Sequence, residues 1–185
     1  MDITELVQST QFDHSQQVAK ISRLLAEMAG YPASETEIIG QAALFHDIGK
    51  TAIPASILNK PGSLTPEEYA VIKTHTAIGQ ERLSQAVQTL AAAIVVAQQH
   101  HERLDGSGYL SMEDKDIHPY AKLIAVADVF DALVSRRSYK EPWSIDRTGA
   151  YLQDLAGIQF ECRTVALLLS HMDQVLALYD PNKSA

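Results

Sequence analysis

Between residues 14 and 30 the apolar side chains Val18, Ile21, Leu24, Leu25 and Met28 recur three and four positions apart, the spacing that lines them along one side of an α-helix. Gly30 followed by Pro32 ends that helix. Ser34 with Glu37 reads as a capping box opening a second helix through Ile38, Ala42 and Phe45. The turn His46-Asp47-Ile48-Gly49 closes it, with Gly49 permitting the turn. Thr65-Pro66-Glu67-Glu68 is a fuller start signal: a capping hydroxyl, proline at the first helical position and glutamate at the third. Further helices are predicted over about residues 86–101, from Pro119 to about residue 135, from a Ser144 cap, and over about residues 161–179. No segment alternates apolar and polar residues long enough for a strand. The pattern is that of a single all-α domain over residues 1–185, without internal repeat or linker. Two polar loops, residues 102–118 and 136–143, interrupt it, and loops held on such a scaffold are where function tends to sit.

Composition narrows the classes. The chain has 185 residues, 46% of them hydrophobic, enough for a substantial core. A net charge of -8 argues against a general nucleic-acid or membrane-surface binder. An anionic ligand would need local cations to overcome that field. Cys162 is the only cysteine, which excludes an intramolecular disulfide and a thiolate cluster. Met1-Asp2-Ile3-Thr4-Glu5 shows no basic segment followed by an apolar one. The apolar run at 91–97 is far too short to span a bilayer. These features lead us to expect a cytoplasmic protein that binds neither DNA nor membrane.

Seven side chains then change the picture: His14, His46-Asp47, His75, His100-His101 and Asp128. Imidazole with carboxylate suits iron, manganese, zinc or nickel, and seven donors exceed what one ion takes. That count points to two metals sharing a bridging group, and so to hydrolytic phosphate chemistry. Asp128 sits within 123–130, a helix apolar nearly all round, where an unpaired carboxylate costs several kcal/mol. It needs a metal or a buried Arg or Lys. Adjacent helical residues diverge by about 100°, so His100 and His101 share a centre only near a helix end or between two ions. Two cations lower the pKa of a shared water, and the hydroxide so formed attacks phosphorus in line. Lys50 directly follows the turn and is a candidate catalytic and substrate-binding residue, holding the scissile phosphate or helping the leaving oxygen, with an exposed lysine as the competing reading. Arg137 and Lys140, three apart, form either a clamp on a second phosphate or a solvated basic loop. His118 and His171 are read as surface residues.

The ordered combination resembles the HD superfamily of metal-dependent phosphohydrolases, and within it the HD-GYP subfamily. The matching stretches are His46-Asp47-Ile48-Gly49-Lys50, residues 57–68, residues 73–79 around His75, His100-His101-Glu102-Arg103-Leu104-Asp105-Gly106-Ser107-Gly108-Tyr109, residues 126–133 and Arg137-Ser138-Tyr139-Lys140. The resemblance implies a bundle of about seven helices around a metal centre. It places the first ion on His14, His46, Asp47 and Asp128 and the second on His75, His100 and His101, with Asp47 bridging. Iron or manganese is implied, and two ions rather than three, because Thr10 stands where the three-ion type has glutamate. It further implies cyclic di-GMP as substrate, linear pGpG and then GMP as products, and signalling partners such as diguanylate cyclase or response-regulator domains. Asp105 and Tyr109 would shape the substrate groove, Tyr109 stacking on a guanine or bonding a phosphate. Asp131 would steady a ligand or loop from behind.

The chain departs from the subfamily at Leu110, where proline is usual, and over residues 111–116, which lack the usual glycines. Glu161 and Cys162 likewise replace an Asp-Pro pair. The ligand set and Lys50 favour a phosphodiesterase. The altered loop favours a non-hydrolysing cyclic-dinucleotide receptor or interaction module, and a hydrolase for another nucleotide is the third class.

Overall fold

Helix α1, Phe12–Ala29, buries Val18, Ile21 and Leu25 completely and stops at Gly30, whose φ of 85° falls in the left-handed region that glycine enters without cost. The computed structural model describes residues 12–86, 91–136 and 141–179. Helix α2, Ala33–Leu44, packs along α1, and a 3-10 turn over Ile48–Ala52 follows it. Then come α3 (Ala55–Leu58), α4 (Pro66–Lys73), α5 (His75–Ala86) and α6 (Ala91–Gln99). Helix α7 (Pro119–Val134), α8 (Ile145–Leu155), α9 (Cys162–Ser170) and α10 (Met172–Ala177) complete the order. No strand occurs among the described residues, only an isolated bridge between Ala156 and Phe160. None of the described helices is long and apolar enough to cross a membrane.

Helix α7 is the axis of the bundle. It touches α1, α2, α6, α8 and α9, which is why its sequence is apolar on nearly every side. Leu123, Ile124, Ala125, Val126, Ala127 and Phe130 are all buried, and Asp128 and Asp131 are buried with them. The start signal at Thr65 is realised in full: Thr65 Oγ1 accepts from Glu68 N at 3.2 Å while Glu68 Oε2 accepts from Thr65 N at 2.8 Å. Ser144 Oγ accepts from Arg147 N and caps α8 as expected.

Three local expectations are corrected. Ser34 does not cap α2; Pro32 occupies the N-cap position and carries no side-chain cap. The link from α1 is so short that Ser34 is already helical, and Glu37 turns to Arg23 on α1 in a bidentate pair, 3.0 Å on each side. Gly49 does not relax a left-handed turn, since its φ is not positive. It is small because a Cβ there would lie 1.9 Å from His75 O and 2.7 Å from Gly79 N. The helix expected over 161–179 is two helices broken at His171 (φ -121°, ψ 30°). There Ser170 Oγ donates to Leu167 O at 3.2 Å, and His171 Nδ1 lies 3.0 Å from the same carbonyl. Side chains thus satisfy a carbonyl that a continuing helix would have used, and the bend carries Val175 into the core.

Candidate metal centre

The seven donors come mostly from helix ends, where side chains from different elements converge. His14 is in the first turn of α1, and His46 and Asp47 lie between α2 and the 3-10 turn. His75 opens α5, His100 and His101 follow the last residue of α6, and Asp128 projects from mid-α7. The pair His100-His101 does sit just past a helix terminus, the position from which neighbouring side chains can share a centre.

Their ligand atoms form two groups. Those of Asp47, His75, His100 and His101 lie within 4.8 Å of one another, as do those of His14, His46 and Asp128. Asp47 stands between them. Its Oδ1 is 3.2 Å from His75 Nε2 and 3.5 Å from His100 Nε2, and its Oδ2 is 3.3 Å from His46 Nε2. Asp128 Oδ1 is 3.1 Å from His14 Nε2 and 3.8 Å from His46 Nε2.

The rings are held from behind. His46 Nδ1 donates to Ala43 O at 2.6 Å, His75 Nδ1 to Ile72 O at 2.7 Å, and His100 Nδ1 to Val96 O at 3.1 Å. With that proton committed to a carbonyl, Nε2 is the atom left to take a ligand. His14 differs: its Nδ1 donates to Asp131 Oδ2. Two of the deepest donor atoms, His46 Nε2 and Asp47 Oδ1, are buried without a hydrogen-bond partner among the described residues. An orphaned buried polar atom costs about 1–3 kcal/mol, and a cation between the groups would satisfy both. The all-nitrogen-and-oxygen donor set therefore fits divalent ions of the iron and manganese type.

Charge is arranged to match. Burial opposes ionisation of Asp47, but Lys50 and His46 outweigh it and hold the carboxyl well below its usual range. Burial likewise opposes the charge on Asp128, and His14 and His46 hold it well below. Burial pulls His100 down and His101 well down, so both stay neutral and able to ligate. At His14 burial works the other way from the outcome: the hydrogen bonds to Asp128 and Asp131 raise it to about 9. A raised histidine contributes stability that is fully present below pH 6.5 and is lost as pH climbs through about 9. The thermal midpoint of the metal-stripped chain should accordingly fall between those values, while affinity for a divalent ion, which displaces the same proton, rises. His14→Asn should flatten both trends, and an unchanged slope would refute the assignment.

A groove of about 970 Å³ opens beside the centre, lined by His14, Lys50 and Asp131 and, further out, by Lys60, Tyr69 and Arg136. Lys50 Nζ is 2.5 Å from Asp47 Oδ2. Asp105 and Tyr109 do not line this groove. Asp105 is exposed and accepts from Ser107 N at 2.9 Å. The Tyr109 ring packs on His101, 4.5 Å between centroids, and meets Tyr69 and the Lys73 ammonium. Arg137 and Lys140 lie outside the described residues.

Sequence reasoning passed over Glu102, quoted only as a letter of a motif. It is 3% exposed, and its carboxylate accepts from Leu110 N at 2.8 Å and from Met112 N at 3.0 Å. Those two amides flank Ser111, whose φ is 54°. Leu110 is thus more than a lost proline, because proline has no N–H to give Glu102. Its side chain, 48% exposed, contributes little packing. A non-glycine residue in the left-handed region costs about 1 kcal/mol, so Ser111→Gly should raise stability by up to that amount in chemical denaturation. A loss of stability would show that the serine is not strained.

The model of the HD domain family matches residues 1–161. Among curated proteins, the 3′3′-cGAMP-specific phosphodiesterase 2 of Vibrio cholerae is 41% identical over 167 residues, 89% of this chain and 32% of its own length. The cyclic di-GMP phosphodiesterase response regulator RpfG of Xanthomonas campestris is 44% identical over 156 residues, 83% of this chain and 41% of its own. A cyclic di-GMP phosphodiesterase of Thermotoga maritima is 38% identical over 174 residues, 92% and 47% respectively. The chain therefore spans between about a third and a half of the curated relatives it matches. Among solved structures, an HDG"Y"P protein from Bdellovibrio bacteriovorus superposes with a TM-score of 0.73 at 23% identity, over 89% of this chain and 53% of that one. The HD domain of the L. monocytogenes phosphodiesterase PgpH, in complex with cyclic-di-AMP, gives 0.63 at 21% identity, over 89% and 91%. At such identities the likeness is one of fold.

Proposed function

This chain belongs to the HD domain family, and from that premise we propose that it is a metal-dependent phosphodiesterase opening cyclic di-GMP to linear pGpG, with GMP from a further cleavage. The observation that carries the reading is the meeting of two donor groups at Asp47, beside a groove that Lys50 lines. His14, His46, Asp47 and Asp128 would hold one ion, and His75, His100 and His101 with Asp47 the other. When bound, two such ions supply a water of lowered pKa and positive charge against the phosphate oxygens.

Hydrolysis forms a bond from the water oxygen to phosphorus and breaks one P–O ester bond, whose oxygen leaves with a proton. Lys50 Nζ lines the groove beside Asp47, where it can hold a non-bridging oxygen and hand a proton to the leaving one. Lys60 and Arg136 also line the groove, each paired with an acid, Lys60 with Glu68 at 2.6 Å and Arg136 with Glu141 at 3.5 Å. Arg137 and Lys140 are proposed to clamp the second phosphate. Leu58, Leu64 and Ile72 with Tyr69 give the groove an apolar wall against which bases can lie. Input is proposed to come from a signalling partner such as a diguanylate cyclase or response-regulator domain; the relative at 44% identity is itself named a response regulator.

A second reading keeps the reaction and changes one base. The relative at 41% identity is named for 3′3′-cGAMP, so that dinucleotide is the alternative substrate. The test is anaerobic purification with metal quantification, then incubation with cyclic di-GMP or 3′3′-cGAMP and chromatography of the products. About two ions per chain and linear product support the proposal. Two ions with neither substrate cleaved would replace it by a receptor.

A further inference from the structure

Four of the histidine rings or their neighbours rely on different kinds of support, and the difference is systematic. His46, His75 and His100 are each tied to a carbonyl three or four residues back along their own chain segment. That support comes with the local fold. His14 Nδ1 instead meets the carboxylate of Asp131, 117 residues away, and Asp131 has to be held in turn. Asp131 Oδ1 accepts from Ser135 Oγ at 2.8 Å and from the Tyr179 hydroxyl at 2.8 Å, which leaves Oδ2 to face His14. Asp131 is 1% exposed, so a lost donor is not readily replaced by water.

We propose that Tyr179 is a positioning residue for the His14 half of the metal centre, fixing through Asp131 the ring that completes that half. The inference rests on the two-ion reading above. Tyr179 lies 48 residues beyond Asp131 and past residue 161, where the family match ends, so neither the motif nor the family assigns it a part. Its place is secured independently of the hydrogen bond. Val175 is fully buried, and the Tyr179 ring meets Phe130 at 6.5 Å between centroids. Burial together with Asp131 pushes the phenol far above its ordinary value, which keeps the hydroxyl a donor. Each half has one half-buried imidazole, His14 in one and His101 in the other, and only the His14 ring is held through Asp131, whose far oxygen the Tyr179 hydroxyl reaches from just past the last helix.

Metal-stripped wild type and Tyr179→Phe, which keeps the ring, are titrated with Mn²⁺ by calorimetry, with a thermal midpoint for each. Partners that hold a ligand from behind are worth about 10–100-fold in metal affinity. In Tyr179→Phe one Mn²⁺ event should fall by that factor while the other stays put, beside a modest fall in midpoint from the donor that buried Asp131 loses. Ser135→Ala, which removes the other donor to the same oxygen, should move the same event, and it answers the question if Tyr179→Phe does not fold. Unchanged affinities, or equal weakening of both events, overturn the proposal. If wild type shows a single event, the two-ion reading fails by itself. The role of Tyr179 then stands or falls on whether that one event weakens.

Discussion

Asp47→Ala should bind less than one equivalent of divalent metal and lose phosphodiester turnover by on the order of a thousandfold, the equivalent of about 4 kcal/mol of transition-state stabilisation. The size follows from where the carboxylate sits. Its two oxygens lie 3.2 to 3.5 Å from ligand nitrogens of His46, His75 and His100, so both donor groups lose their shared member at once. The other six donors face the cavity left behind as a ring of imidazoles with Asp128 alone to supply negative charge. Lys50, whose ammonium is 2.5 Å from Asp47 Oδ2, also loses its partner, and that repels a cation from the same space. Asp47→Asn separates the effects, since it keeps the shape and removes the charge. Metal quantification beside product chromatography reads both. A variant that retained two ions and native turnover would remove Asp47 from the centre.

Gly49→Ala should be the most damaging single methyl in the chain. Its Cβ would fall 1.9 Å from His75 O, 2.8 Å from His75 C and 2.7 Å from Gly79 N. All three are backbone atoms, which no rotamer change can move aside. Overpacking against a rigid neighbour costs about 3–5 kcal/mol at the severe end. For a chain of this size that is a fall in thermal midpoint on the order of 10 °C. The obstacle also lies between two ligands, so the 3-10 turn that follows Asp47 must separate from the helix that begins with His75. Metal affinity should drop alongside stability. Gly79→Ala is the control: its Cβ meets nothing closer than 3.4 Å and should cost little. Equal midpoints for the two variants would show that the close approach at Gly49 relaxes freely.

What the sequence discloses and conceals here follows from the range of the forces. Local signals were legible: the Thr65 cap closes within three residues, and the apolar spacing of α7 announced a buried helix carrying an acid. Convergence of the seven donors was legible too, because so many imidazoles and buried acids have few other uses. Features that depend on a distant element were not. Ser34 looked like a cap because nothing nearby reveals that Glu37 is claimed by Arg23 on α1. The need for glycine at 49 is set by the backbone of α5. Glu102 reads as one more charged residue until the loop folds back and gives it the amides of Leu110 and Met112.

The carbonyls behind His46, His75 and His100 lie three or four residues earlier, in the helices that end just before each ring. Each imidazole is therefore aimed by a turn that has already formed, and the entropy of ordering it is spent in folding rather than in binding. A protein built this way behaves as a socket. Chelation should silence the protein without unfolding it, unlike small zinc domains that collapse when their ion is withdrawn. Returning the metal should refill the centre at the rate of ion entry, with no refolding step.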